Sequence, residues 1–469
     1  VAEPRKRGTR VDAARLAAYD VLVAVREQDA YTNLILPTML RSRGITGRDA
    51  AFCTELVSGT VRRRATYDAV LAASVNRPLE KVDAAVLDAL RMGAHQILAM
   101  RVPSHAAVAT TVDLVRQRVG HGPAGFVNAV LRKVAARDLD AWLRRVAPDP
   151  AADPVGHASV VHSHPRWVVE QLAAALGAAP SHGGTDLDAL LAADNAAPTV
   201  TLVARPGLAE VAELVAAGGT ASAVSPYAVH LTGGGDPAAV PAVAEGRAGV
   251  QDEGSQLVAL ALAAAPLAGR DERWLDMCAG PGGKSALLAA LATDRGAWLL
   301  AAERQVHRAR LVKQATAAVG DGLAGVVAAD GTRPAWADAA FDRVLVDAPC
   351  SGLGALRRRP ESRWRRSAAD LDDLVPLQEA LLRSALAAVR PGGLVAYVTC
   401  SPVVAETSDV VSRVLADEPA ATLEDAGPLF GSVPGLRPDQ APLPGTVQLW
   451  PHRHGTDAMF FALLRRQDR

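Results

Sequence analysis

The sequence predicts a multi-domain protein with an all-helical N-terminal domain, a small α/β module in the middle and a C-terminal α/β domain. Three observations carry this. A chain of 469 residues is too long for one ordinary core. Apolar residues recur at helical spacing from about residue 10 to 145, as in Leu16, Tyr19, Leu22 and Val23, and again in Val86, Leu87 and Leu90. From about residue 255 onward, strands alternate with helices, which implies a parallel sheet covered on both faces.

Taken in order, residues 10–145 read as about seven helices, separated by breakers such as Arg43-Gly44, Arg77-Pro78 and Val102-Pro103. Residues 146–185 read as a linker and one helix, because Pro148 to Pro165 is rich in Pro, Ala and His. The helix spans about 166–177, and a second breaker, Ala179-Pro180-Ser181-His182-Gly183-Gly184, follows it. Residues 186–250 carry short strands, such as Thr199 to Val203, and one helix near 207–217. Residues 251–469 form the C-terminal domain, with five strands expected at 273–276, 297–302, 325–329, 343–346 and 394–399. Segments near 446–450 and 458–463 read as an antiparallel closing pair.

Composition narrows the function classes. Hydrophobic residues make up 49% of the chain and aromatics only 4%, so the cores must be built from Ala, Leu and Val. Formal net charge is zero, which argues against a uniformly basic coat but leaves room for local phosphate-binding patches. Four widely spaced cysteines give neither a disulfide framework nor zinc spacing, so no metal is expected and a reducing cytoplasm is the simpler setting. Arg5-Lys6-Arg7 resembles the basic start of a signal peptide, but Asp12, Arg15 and Asp20 interrupt any apolar core. No apolar run approaches a bilayer span, so no membrane partner is expected.

The chemistry-bearing residues collect at strand ends. Asp276-Met277-Cys278-Ala279-Gly280-Pro281-Gly282-Gly283-Lys284-Ser285 joins a strand to a helix. Its small residues let a ligand approach the backbone, and a helix N-terminus offers unpaired N–H groups. It matches neither the dinucleotide fingerprint nor the P-loop, so a nonphosphorylated nucleoside fits better than a nucleotide. Taken alone, a tight turn without ligand is an equal alternative. Glu303, Asp330 and Asp347 end the next three strands. Each alone is an ordinary cap, but the three in succession suit ribose and adenine recognition. Cys350, after Pro349, and Cys400, in Thr399-Cys400-Ser401-Pro402, end the fourth and fifth strands. A right-handed crossover would make those strands neighbours and turn both thiols to one crevice. A free cysteine is usually a small buried apolar residue; two at this position favour chemistry. Arg357, Arg358, Arg359, Arg363, Arg365 and Arg366, with Trp364 among them, follow Cys350. Such a run is usually a solvated face; beside this crevice, a phosphate-contacting lip is an equal candidate.

Together these motifs resemble the Sun-type family of RNA cytosine-5 methyltransferases, whose catalytic domain is Rossmann-like. The segments Glu55 to Gly59, Leu90 to Gln96 and Phe126 to Arg132 are similar to a NusB-like RNA-binding domain. That fusion points to the branch acting on bacterial small-subunit (16S) ribosomal RNA. The resemblance implies S-adenosylmethionine as cofactor, held by Cys278, Ala279, Gly280, Pro281, Gly282, Gly283, Lys284, Glu303, Asp330 and Asp347. It implies Cys400 as nucleophile, Cys350 as the thiol assisting release and Asp347 beside the methyl donor and target base. It also implies an RNA-binding middle module, a cytoplasmic setting and a monomer. Two positions depart from the family pattern: Glu303 stands where aspartate is commoner, and Gly280 where alanine is common. Three alternatives stay open: another RNA such as transfer RNA; a DNA enzyme, which would use the Pro-Cys thiol; and an RNA-binding assembly factor without catalysis.

Overall fold

A computed structural model describes residues 11–28, 31–177, 185–233 and 235–467. The Arg5-Lys6-Arg7 start and the breaker at 179–184 lie outside the described residues. The chain divides into two compact units, one of Val1–Ala196 with Arg358–Arg365 and one of Ala197–Arg357 with Arg366–Arg469.

The first unit is helical. Eight α-helices lie between Ala13 and Val146 among the described residues, against about seven expected. Three further helices follow among the described residues of this unit, Pro154–Val161, Arg166–Ala175 and Thr185–Ala193. The first of these lies inside the stretch read as linker. Composition misleads there because Asp153 caps the helix through the Gly156 N–H and Pro154 takes the first turn, where its missing N–H costs nothing. The three segments resembling a NusB-like domain meet in this unit's core. A Cβ on Gly59 would lie 2.2 Å from His95 Cε1, and one on Gly93 would lie 2.7 Å from Leu131 Cδ1. Glycine at both positions therefore sets how closely these helices pack.

Part of the arginine run also belongs to this unit. Arg363 is fully buried and donates to the carbonyls of Ser163 and Asp194, both at 3.1 Å, and to Asn195 Oδ1 at 2.8 Å. Trp364 Nε1 donates to the Val61 carbonyl at 2.8 Å, and Arg365 to that of Val25 at 3.2 Å. This corrects the expectation of a phosphate-contacting lip for these residues. The donors shown are taken up by backbone carbonyls and by Asn195 Oδ1, and the fully buried Arg363 guanidinium cannot reach a phosphate.

The second unit holds two sheets. Strands β1 (Thr201–Ala204), β2 (Gly219–Ala221), β3 (Ala228–Leu231) and β4 (Ala248–Val250) form an antiparallel sheet in the order β2-β3-β1-β4. The larger sheet contains β5 (Arg273–Asp276), β6 (Trp298–Glu303), β7 (Leu323–Ala328), β8 (Phe341–Asp347), β9 (Val389–Thr399), β10 (Ala421–Glu424), β11 (Val447–Gln448) and β12 (Phe460–Arg466). Its order is β10-β12-β9-β8-β5-β6-β7, with β11 paired to β12. Strands β5 to β9 run parallel, as the alternation predicts, and β8 lies directly beside β9. The antiparallel closing pair is present as β11 and β12, and β12 also inserts between β9 and β10. The central strands are buried on both faces: Val344, Leu345, Val346 and Leu394 to Val398 are inaccessible to solvent. Their C-terminal ends therefore converge on one edge of the sheet, where open α/β folds bind ligands. No helix among the described residues is long and apolar enough to cross a membrane.

Candidate active site

Strand β5 ends at Asp276, and the chain turns through Met277 to Gly282 into the helix Gly283–Thr293. Two backbone bonds pin the turn to the sheet: Met277 N to Leu345 O and Ala279 N to Ala302 O, each 2.9 Å. Gly282 has φ of 112°, in the left-handed region, and a Cβ there would lie 2.6 Å from Ala315 Cβ. No side chain caps this helix, so its first N–H groups remain available to a ligand.

Glu303 closes β6 with its side chain buried. It accepts from Gly280 N at 3.1 Å and Gln305 N at 3.0 Å. Asp330, beyond β7, accepts from Thr332 N at 3.0 Å and Thr332 Oγ1 at 2.7 Å. Those bonds from Thr332 hold its carboxyl below the usual range. The turn that caps Asp330 is the ordinary role expected of such an acid taken singly. The turn Cys278 to Lys284 and the acids Glu303, Asp330 and Asp347 lie at the ends of β5, β6, β7 and β8. The donors and acceptors fit a nucleoside carrying an amino acid. Narrow, glycine-lined backbone leaves room for such a ligand, and carboxylates can accept hydrogen bonds from ribose hydroxyl and adenine amino groups.

Three groups of opposite character meet at the ends of β8 and β9. Lys284 Nζ donates to Asp347 Oδ2 at 2.8 Å. Burial disfavours the ammonium, but the charges of Asp347 and Cys400 outweigh it and hold its pKa above the ordinary value. Besides its bond to Asp347, Lys284 interacts electrostatically with Cys400. The sulfurs of Cys350 and Cys400 are 3.5 Å apart. The Cys350 thiol is pushed well up, first by its hydrogen bond to Cys400 and then by burial. It keeps its proton at neutral pH. Cys278 is likewise pushed well up, by burial first and then by the charges of Asp276, Asp347 and Glu303. A thiol so disfavoured as a thiolate suits a neutral wall of the ligand turn.

Sequence reasoning missed a set of residues beneath the two cysteines. Glu406, fully buried, accepts from Ser351 N at 2.7 Å, Ser351 Oγ at 2.5 Å, Ser401 Oγ at 2.6 Å and Gln378 Nε2 at 3.0 Å. Gln378 Nε2 also donates to the Pro349 carbonyl at 2.8 Å. The available signal was the serine directly after each cysteine, Ser351 and Ser401.

Comparison with known proteins gives a consistent result. The family model described as 16S rRNA methyltransferase RsmB/F matches residues 263–465, and the NusB family model matches residues 12–136. The chain is 52% identical over 468 residues to "Putative methyltransferase Rv1407" of Mycobacterium tuberculosis, covering 99% of each. It is 32% identical over 459 residues to ribosomal RNA small subunit methyltransferase B of Pseudomonas syringae pv. tomato, covering 96% of each. The crystal structure of PH0851 has the same fold, with a TM-score of 0.78 at 21% identity, over 98% of this chain and 100% of that one. With its NusB domain, its α/β catalytic domain and these full-length relatives, the chain belongs to the RsmB/F family of S-adenosylmethionine-dependent RNA cytosine-5 methyltransferases.

Proposed function

We propose that the chain methylates C5 of a cytosine in 16S ribosomal RNA, with Cys400 forming a covalent bond to C6. The observation that carries this is the pair of opposed sulfurs, 3.5 Å apart, with a lysine-carboxylate pair beside them. Bound S-adenosylmethionine supplies an electrophilic methyl group. Residues 278–284 with Glu303, Asp330 and Asp347 would hold it.

Cytosine C5 is a poor nucleophile. The base leaves its stack to enter the site. Addition of the Cys400 thiolate to C6 converts the ring to an enamine, and C5 becomes nucleophilic enough to take the methyl group. The Lys284 ammonium and the protonated Cys350 thiol both favour the Cys400 thiolate. Asp347 accepts from the cytosine edge. C5 then loses its proton to a base, and the electron pair re-forms the C5–C6 double bond. The Cys400 sulfur leaves C6 with the pair of the C–S bond. Cys350 donates its proton to the departing thiolate and so assists release.

The NusB-like region over residues 10–145 and the module over 186–250 serve RNA binding, residues 146–185 connect them, and residues 251–469 carry the reaction. The protein works as a monomer in the cytoplasm. The relatives support 16S ribosomal RNA over transfer RNA, because full-length matches are named for the small subunit. Bisulfite sequencing of total RNA from cells lacking the protein tests this. One small-subunit ribosomal cytosine should lose protection; a change confined to transfer RNA would move the substrate. An intact chain that binds no S-adenosylmethionine would leave an RNA-binding assembly factor instead.

A further inference from the structure

We infer that Glu406 is a positioning residue that holds the two cysteine loops against each other, and that its loss acts mainly on adduct release. This rests on the cysteine roles proposed above. Glu406 ends the turn Val404–Glu406, and Tyr397 Oη fixes that turn by donating to the Glu406 carbonyl at 2.7 Å. Its carboxylate accepts hydrogen bonds from backbone and hydroxyl donors on the two loops and from the Gln378 amide on the helix Asp370–Ala388. Four such bonds satisfy a buried carboxylate, whereas removing their common acceptor strands several donors at once.

The grip is unequal. On the Cys350 loop, Glu406 holds the Ser351 N–H and the Ser351 hydroxyl, and orients the Gln378 amide that holds the Pro349 carbonyl. On the Cys400 loop it holds the Ser401 hydroxyl. Both strands are paired on both sides, but Cys400 directly follows Thr399, the last residue of β9 and opposite Phe460 of β12, whereas Cys350 lies three residues beyond Asp347, the last residue of β8. The sheet therefore keeps Cys400 in place without Glu406, while the Cys350 loop loses much of its anchorage. The bond from Gly354 N to Cys400 O, 2.9 Å, remains, so the loops loosen rather than part. Attack by Cys400 persists, and assistance from Cys350 weakens.

Glu406→Gln in the full chain tests this, with steady-state rates on substrate RNA and a denaturing gel for covalent protein–RNA adduct. One amide oxygen still accepts, but the NH2 faces donors. The expected result is a fall in kcat of roughly 10- to 100-fold, as for small misplacements of catalytic groups. KM for RNA and for S-adenosylmethionine should stay within about twofold, as for a loss confined to the chemical steps. The adduct should rise above the native level towards that of Cys350→Ala, and Cys400→Ala/Glu406→Gln should form none. If Glu406→Gln does not fold, Ser351→Ala decides: it removes one donor and should shift the same balance towards adduct. An unchanged kcat, or a fall without extra adduct, would overturn the inference. A native chain that methylates no RNA cytosine would instead overturn the proposed function.

Discussion

The Sγ atoms of Cys350 and Cys400 face one another at 3.5 Å. The bond to Cys400 and burial push the Cys350 thiol up, and Lys284 interacts electrostatically with Cys400. Cys400→Ala should abolish methylation, by on the order of 10³-fold or more, as for other lost nucleophiles. Cys350→Ala should accumulate covalent protein–RNA adduct on a denaturing gel. Adduct lost in Cys350→Ala and kept in Cys400→Ala would reverse the assignment.

Lys284 is expected to govern the pH dependence. A nearby cation favours a thiolate, so its removal raises the pH at which the nucleophile forms. Lys284→Met should lower kcat by on the order of 10²-fold, as for other preorganised electrostatic partners. The acidic limb of the pH–rate profile should move to higher pH. An unmoved limb would mean that the lysine serves only to orient Asp347.

The two departures from the family pattern touch each other. Gly280 N donates to Glu303 Oε2, and a Cβ at position 280 would lie 2.2 Å from that same oxygen. The longer glutamate, together with Arg308 Nη2 at 2.8 Å and Nε at 2.9 Å, occupies the space that an alanine methyl would need. Gly280→Ala should therefore weaken S-adenosylmethionine binding, and adding Glu303→Asp should recover much of it. A coupling of about 1–3 kcal/mol, typical of contacting residues, is expected from calorimetric titration of the four proteins. Additive losses would show that the two positions act separately.

Asp276 should make stability fall as pH rises. Burial pushes its carboxyl up to about 7 from 3.8, against the bond from Ser285 Oγ, with Asp347 raising it further and Lys284 opposing. Below the unfolded value both states hold the proton and there is no penalty. Between about pH 4 and 7 the unfolded chain releases it and the native chain does not, so stability drops as pH rises. The loss levels off above the folded value, at on the order of 4 kcal/mol. In thermal melts without cofactor, Asp276→Asn should lose much of the decline seen in the native chain between about pH 5 and 8. Parallel curves would place the proton elsewhere.

The parallel strands from Arg273 to Thr399 were legible because a strand of alternating or continuous apolar residues and a following helix are local patterns. So was the meeting of Cys350 with Cys400, since chain chirality makes β8 and β9 neighbours. The arginine run was misread for the opposite reason. Arginine is rarely buried, and nothing near Arg363 in sequence announces the carbonyls of Ser163 and Asp194. Glu406 was missed because an isolated acid after a strand looks like any surface carboxylate until its four donors are assembled.

The order of residue types along the chain by itself determined the family, the glycine-rich turn and the two thiols at adjoining strand ends, because each lies within one short segment. Only the tertiary structure decided how closely the two sulfurs approach, why Gly280 accompanies Glu303, and what holds Ser351 beside Ser401. Those depend on distances of a few ångströms between side chains far apart in sequence, and packing sets such distances where periodicity does not.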